Sequence, residues 1–167
     1  MTLARTRPMV AALAVALVSV TGCTGGGSSP SASTAAGATA SASTAADANV
    51  VEVTLVEWGV VPSIESTPSG DVTFQVTNEG PADVHEFVVL KTDLDPAELP
   101  TDEQGAVTED GEGIEVIDEI EDIPVGETQE LAVTLEAGSY VLLCNIYSED
   151  ENEAHYAEGM RIAFAVE

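Results

Sequence analysis

The chain has 167 residues, 44% of them hydrophobic but only 4% aromatic, and 30 acidic residues against 4 basic ones give a formal charge of −26. That length holds one domain once a leader and a spacer are subtracted, and is too short for two. So negative a surface repels nucleic-acid phosphates and anionic headgroups, which argues against nucleic acid as a partner and leaves basic proteins, cations or solubility in high salt.

Arg5 and Arg7 precede an apolar run from Met9 to Val20 that is too short to cross a bilayer as a stable helix, so residues 1–22 read as a secretory signal. Thr21-Gly22-Cys23 resembles a bacterial lipobox, which implies lipidation of Cys23. An ordinary signal peptide cleaved nearby is the alternative. Thr6 separates the two arginines, which favours general export over a twin-arginine route. Residues 23–48 are mostly Gly, Ser, Thr and Ala, and such a segment cannot bury enough apolar surface to offset its ordering entropy. It is expected to be a disordered tether between a lipid anchor and the folded domain. Past the leader only Lys91 and Arg161 stand against the 30 acids, a formal charge of −28.

The folded domain is expected over 49–167. Val51, Val53 and Leu55 begin a first strand, Pro62, Pro68 and Gly70 mark a loop, and Asp71 to Thr77 alternates with Val72, Phe74 and Val76 on one face. Asn78-Glu79-Gly80-Pro81 is a turn. In the next strand, Val84 to Leu90, His85 shares parity with Phe87 and Val89 and so points inward, either as a hydrogen-bonded core residue or as a ligand. Asp95-Pro96-Ala97-Glu98 predicts a helix start that Pro100 keeps short. From Thr101 to Asp122 the chain is strongly acidic, lacks the spacing of an EF-hand, and reads as a solvated insertion with one edge strand at Ile114 to Ile117. Leu131, Val133 and Leu135 are in phase on another strand, Tyr140, Leu142 and Cys144 on the next, and Met160, Ile162, Phe164 and Val166 on the last. About seven or eight strands and one short helix predict an all-β, antiparallel Greek-key sandwich.

Beyond the leader the soft metal donors are few: His85, Cys144, His155 and Met160, with Cys23 at the boundary. In an oxidising compartment a lone Cys144 is buried and inert, reactive, or metal-bound. Two imidazoles, a thiolate and a weak thioether match the donor set of a blue-copper electron-transfer site, and the thioether argues against structural zinc.

Phe74-Gln75-Val76-Thr77-Asn78-Glu79-Gly80, His85-Glu86-Phe87-Val88-Val89, and Gly138-Ser139-Tyr140 running to Cys144, His155 and Gly159-Met160 resemble a cupredoxin of the plastocyanin and azurin kind. The resemblance covers roughly Val50 to Glu167. It implies one type 1 copper ion held by His85, Cys144, His155 and Met160, with His155 as the more exposed ligand and electron exit. Two departures stand out. Ten residues, several acidic, separate Cys144 from His155, and Glu86 stands where several members of the family have an Asn that supports the thiolate. The expected function is that of a monomeric electron carrier, not an enzyme, anchored by lipid to the cell membrane on its extracellular or periplasmic side. It would serve redox protein partners, and the acidic residues before His155 suggest a basic one. Copper binding for tolerance or delivery is the alternative.

Overall fold

The computed structural model describes residues 49–167, so the expected leader, the tether and Cys23 lie outside the described residues. The first sheet is built from β1 (Asn49–Val56), β2 (Gly59–Pro62), β4 (Gly70–Asn78) and β7 (Thr128–Leu135), in the order β2-β1-β4-β7. The second takes β3 (Ser66–Thr67), β5 (His85–Lys91), β6 (Glu115–Ile123), β8 (Gly138–Leu143) and β11 (Arg161–Val166), in the order β3-β11-β8-β5-β6. A small hairpin, β9 (Tyr147–Ser148) and β10 (Glu153–Ala154), leads into a single helical turn, α1 (His155–Glu158).

Strict alternation places Val51, Val53 and Leu55 of β1, Val72, Phe74 and Val76 of β4, and Leu131, Val133 and Leu135 of β7 between the sheets. Phe87 and Val89, Tyr140 and Leu142, and Phe164 and Val166 meet them from the second sheet. Phe74 lies at the centre, its ring 5.3 Å from Phe87 and 5.8 Å from Phe164. Edge-on aromatic packing of this kind adds about 0.5–1.5 kcal/mol per pair beyond area burial.

The sandwich is mixed, not purely antiparallel. β1 runs parallel to β4, and β11 parallel to β3, while the other pairings are antiparallel. Side chains alternate with the same period in either direction, so the pattern that marks a strand carries no sign of its partner's direction.

The expected helix at Asp95 is absent. Asp95 instead closes a turn, its Oδ1 accepting the Ala97 N–H at 2.9 Å and its carbonyl the Glu98 N–H at 2.9 Å. Pro100 leaves no room for a further turn, and the Pro96 carbonyl is taken by the Tyr156 hydroxyl at 2.8 Å. The acidic segment is also more structured than a solvated insertion. Its second half is β6, an edge strand paired with β5 through Ile123, and its first half covers the outer face of the second sheet. There Leu99 and Val107 pack with Val88, Leu90, Val141, Leu143 and Tyr156 in a second apolar cluster.

Candidate metal centre

His85, Cys144 and His155 come together at one end of the sandwich, 0%, 0% and 1% exposed. The Nδ1 atoms of the two histidines lie 3.2 Å apart, and Cys144 Sγ lies 3.3 Å from His155 Nδ1 and 4.0 Å from His85 Nδ1. The circle through three donors so spaced has a radius of about 2.1 Å, against metal–nitrogen lengths of about 2.0–2.1 Å and metal–sulfur of about 2.3 Å in protein zinc sites. One ion among the three donors therefore fits.

Each donor is placed by its element. His85 opens β5 beside a register shift in the β5–β6 ladder, directly after a turn held by the buried Asn78. The Asn78 amide donates to the carbonyls of Asp83 and Ile123, both at 2.8 Å, while its Oδ1 accepts the Gly80 N–H at 2.9 Å. Cys144 follows the last residue of β8. The β5–β8 ladder stops at Val88 and Leu143, and beyond it the Glu86 N–H meets Cys144 Sγ at 3.3 Å instead of a carbonyl. Met160, 0% exposed, is tied to the other two segments through its backbone: its N–H donates to the His155 carbonyl at 3.0 Å and its carbonyl accepts the Cys144 N–H at 3.0 Å.

His155 departs most from expectation. The acidic stretch before it forms the β9–β10 hairpin, with Asn152 in the left-handed region at φ 55° and its Oδ1 accepting the Tyr147 hydroxyl at 3.1 Å. His155 is the first residue of α1 and is buried beneath Trp58, whose ring lies 5.1 Å away at 69°. Even so, it lines a surface depression with Asp83, Val84, Asp122, Ile146 and Ser148. The imidazole is thus close to solvent without being exposed.

Burial sets the protonation of the metal-free donors. It pushes the Cys144 thiol up to about 12, since only the Glu86 and Ile146 backbone groups assist the thiolate. It pushes both imidazoles below their usual value, with His155 adding to the effect on His85. The histidines are therefore neutral at pH 7 and their lone pairs free, while cation binding must release the thiol proton.

Four surrounding residues have no signal in the sequence pattern. Trp58 and Glu57 come from the β1–β2 turn. The Glu57 Oε1 accepts the N–H groups of Ala82 at 3.2 Å and Asp83 at 2.9 Å. Burial alone pushes its carboxyl up, but the Asp83 and Ala82 N–H groups, its own N–H and His85 together hold it below the usual carboxylate value. Asn145 clamps the covering segment: its Oδ1 accepts the Val107 N–H at 2.6 Å, and its amide donates to the Val107 carbonyl at 3.0 Å and Glu109 at 2.9 Å. Its backbone N–H donates to Glu86 Oε2 at 3.2 Å, so the carboxylate that departs from the family pattern links the two ligand-bearing segments. Tyr156 ties α1 to the same cover, donating to the Pro96 carbonyl and accepting the Leu99 N–H at 3.2 Å.

Two imidazoles and one cysteine sulfur, with Met160 beside them, fit one type 1 copper ion. A two-sheet β-sandwich carrying that donor set at one end agrees with the fold and site that the sequence resemblance implies. No family model matches the chain, and no curated protein does. Among solved structures, it is similar to dithionite-reduced auracyanin from Roseiflexus castenholzii, at 21% identity and a TM-score of 0.48 over 72% of this chain and 98% of that one. It is also similar to auracyanin A, a blue copper protein from Chloroflexus aurantiacus, at 19% identity and 0.47 over 71% and 98%. An azurin from Methylomonas sp. strain J stands at 18% and 0.44 over 71% and 98%. At such identities and TM-scores these likenesses add no weight to the copper assignment, which rests on the donors themselves.

Proposed function

We propose that this protein is a single-copper electron carrier, held at the outer face of the cell membrane by a lipid on Cys23, in which His85, Cys144, His155 and Met160 would hold the ion. The observation that carries the copper reading is the convergence of three buried donors on one point. Bound copper supplies one-electron redox chemistry, because imidazole suits Cu(II) while thiolate and thioether suit Cu(I). The burial of the donors favours a carrier over a catalytic centre, which keeps a coordination position open to substrate. The same enclosure favours electron transfer over delivery of the ion.

The basic n-region, the apolar run and Thr21-Gly22-Cys23 support export and lipidation. Asp83 and Asp122 flank the depression beside His155 and support docking of a basic redox partner there, by contacts that weaken as salt rises.

Copper loading followed by visible absorption and EPR tests the centre. An intense thiolate-to-copper band is expected in the wild type, and its complete loss in Cys144→Ser. A wild-type protein that retains no copper and gives no band overturns the assignment. Mass spectrometry of the membrane-extracted chain tests the anchor, with a lipid-modified Cys23 as the expected N-terminus.

A further inference from the structure

Two buried polar atoms beside the centre have no partner. His85 Nε2, on the far side of the imidazole from the other donors, makes no hydrogen bond, and neither does Glu57 Oε2. His85 Nε2 lies 3.9 Å from Glu57 Oε1, with the side chains 0% and 11% exposed. Buried polar groups are satisfied in the great majority of cases, and an unsatisfied one costs about 1–3 kcal/mol. His85 Nε2 has no partner and stands within an ångström or so of hydrogen-bonding distance of a carboxylate whose second oxygen is itself unmatched, which makes that carboxylate the acceptor to assign to it.

The surrounding backbone is arranged around that carboxylate. The Ala82 and Asp83 N–H groups hold Glu57 Oε1 on the turn that leads into His85. At Gly80 a Cβ would lie 2.7 Å from Glu57 Oε1 and 3.1 Å from its Cδ, so the turn has given up a side chain where the carboxylate sits. The Asn78 bonds that fix the turn locate Gly80 and Asp83 at the same time.

We propose that Glu57 is a positioning residue for the centre: its carboxylate accepts a hydrogen bond from His85 Nε2–H, which fixes the tautomer that leaves Nδ1 free for copper, and its charge biases the bound ion toward Cu(II). A ligating histidine commonly has a carboxylate on its other nitrogen, which orients the ring and raises its basicity. A fixed negative charge next to the imidazole stabilises the more highly charged ion. This inference rests on the copper reading for its redox part and stands apart from it for the tautomer.

The test has two arms. In the metal-free protein, long-range ¹⁵N–¹H correlation spectra are expected to show His85 as the Nε2–H tautomer with a slowly exchanging proton. Glu57→Leu is expected to speed that exchange at least tenfold and to mix the tautomers. Unchanged exchange and an unmixed tautomer in Glu57→Leu overturn the proposal. Should that variant fail to fold, Glu57→Gln reads the same bond: its amide oxygen keeps the tautomer but, as a neutral acceptor, lets the proton exchange faster than in the wild type. In the copper-loaded protein, Glu57→Gln is expected to shift the redox equilibrium toward Cu(I) about tenfold, which is 59 mV for a one-electron couple. An unchanged potential and unchanged exchange in Glu57→Gln overturn the role. If wild-type protein binds no copper, the function proposed above fails while the first arm still decides the tautomer.

Discussion

Glu86 occupies the boundary between the centre and the acidic surface. Its N–H supports the Cys144 sulfur and its carboxylate receives the Asn145 N–H. Burial, followed by the charges of Glu119, Glu109 and Glu121, raises this carboxyl to about 7, although the Asn145 bond opposes the shift. A raised folded-state value means that the protonated form is favoured by folding. The contribution is fully present below the unfolded value near 4.5 and is lost as pH rises through about 7. Metal-free wild type is therefore expected to lose stability between pH 4.5 and 7 relative to Glu86→Gln, on the order of 1–2 kcal/mol once its partial exposure is discounted. Urea midpoints of both proteins at pH 4 and pH 8 check this. A gap between them that does not widen with pH would show that Glu86 binds its proton no more tightly in the folded protein than in the unfolded one.

At the scale of elements, the covering segment 92–114 and α1 act as one lid on the outer face of the second sheet. Tyr156 carries the join: its hydroxyl serves both the Pro96 carbonyl and the Leu99 N–H, and its ring stacks under Arg161 at 4.8 Å. Tyr156→Phe keeps the packing and orphans the buried Leu99 N–H, a cost of about 1–3 kcal/mol. A drop of that size in the denaturation midpoint is expected, with the copper band retained because the hydroxyl touches no donor. A Tyr156→Phe protein as stable as wild type would mean that the lid is held by apolar contact alone.

This lid also marks where the sequence stops being legible. The phases of Val72-Phe74-Val76 and of Leu131-Val133-Leu135 locate the inner face correctly, because a half-buried strand must alternate. Val88-Val89-Leu90 and Val141-Leu142-Leu143 are continuous apolar runs, the mark of strands buried on both faces, yet nothing in the runs says what covers them. That depends on hydrogen bonds from Asn145 and Tyr156 to residues tens of positions away. The donor types were legible because histidine, cysteine and methionine are so scarce here. The burial of His155 was not, since Trp58 reaches it from 97 positions earlier in the chain.

Over the whole molecule, the charge imbalance leaves the described domain without free cations to offset its carboxylates. Lys91 is bound to Glu136 at 2.8 Å, and Arg161 is held by the Tyr156 carbonyl and ring. The exposed edge strand β6 places Glu115, Asp118, Glu119 and Glu121 within one stretch of nine residues. Folding gathers these like charges, so their repulsion opposes the compact state more than the unfolded one. At 0.01 M salt the screening length is about 30 Å, comparable with a small domain, whereas at 1 M it is about 3 Å, shorter than most separations between surface charges. Raising sodium chloride across that range is therefore expected to stabilise the protein by about 1–2 kcal/mol, which for a domain of this size is several degrees in the thermal midpoint. Repeating the melt at low salt in sucrose, which favours burial without screening charge, separates the two effects. A midpoint that is flat in salt would mean that the carboxylates are spaced widely enough for water alone to screen them, and the same result would weaken the case for an electrostatic dock beside His155.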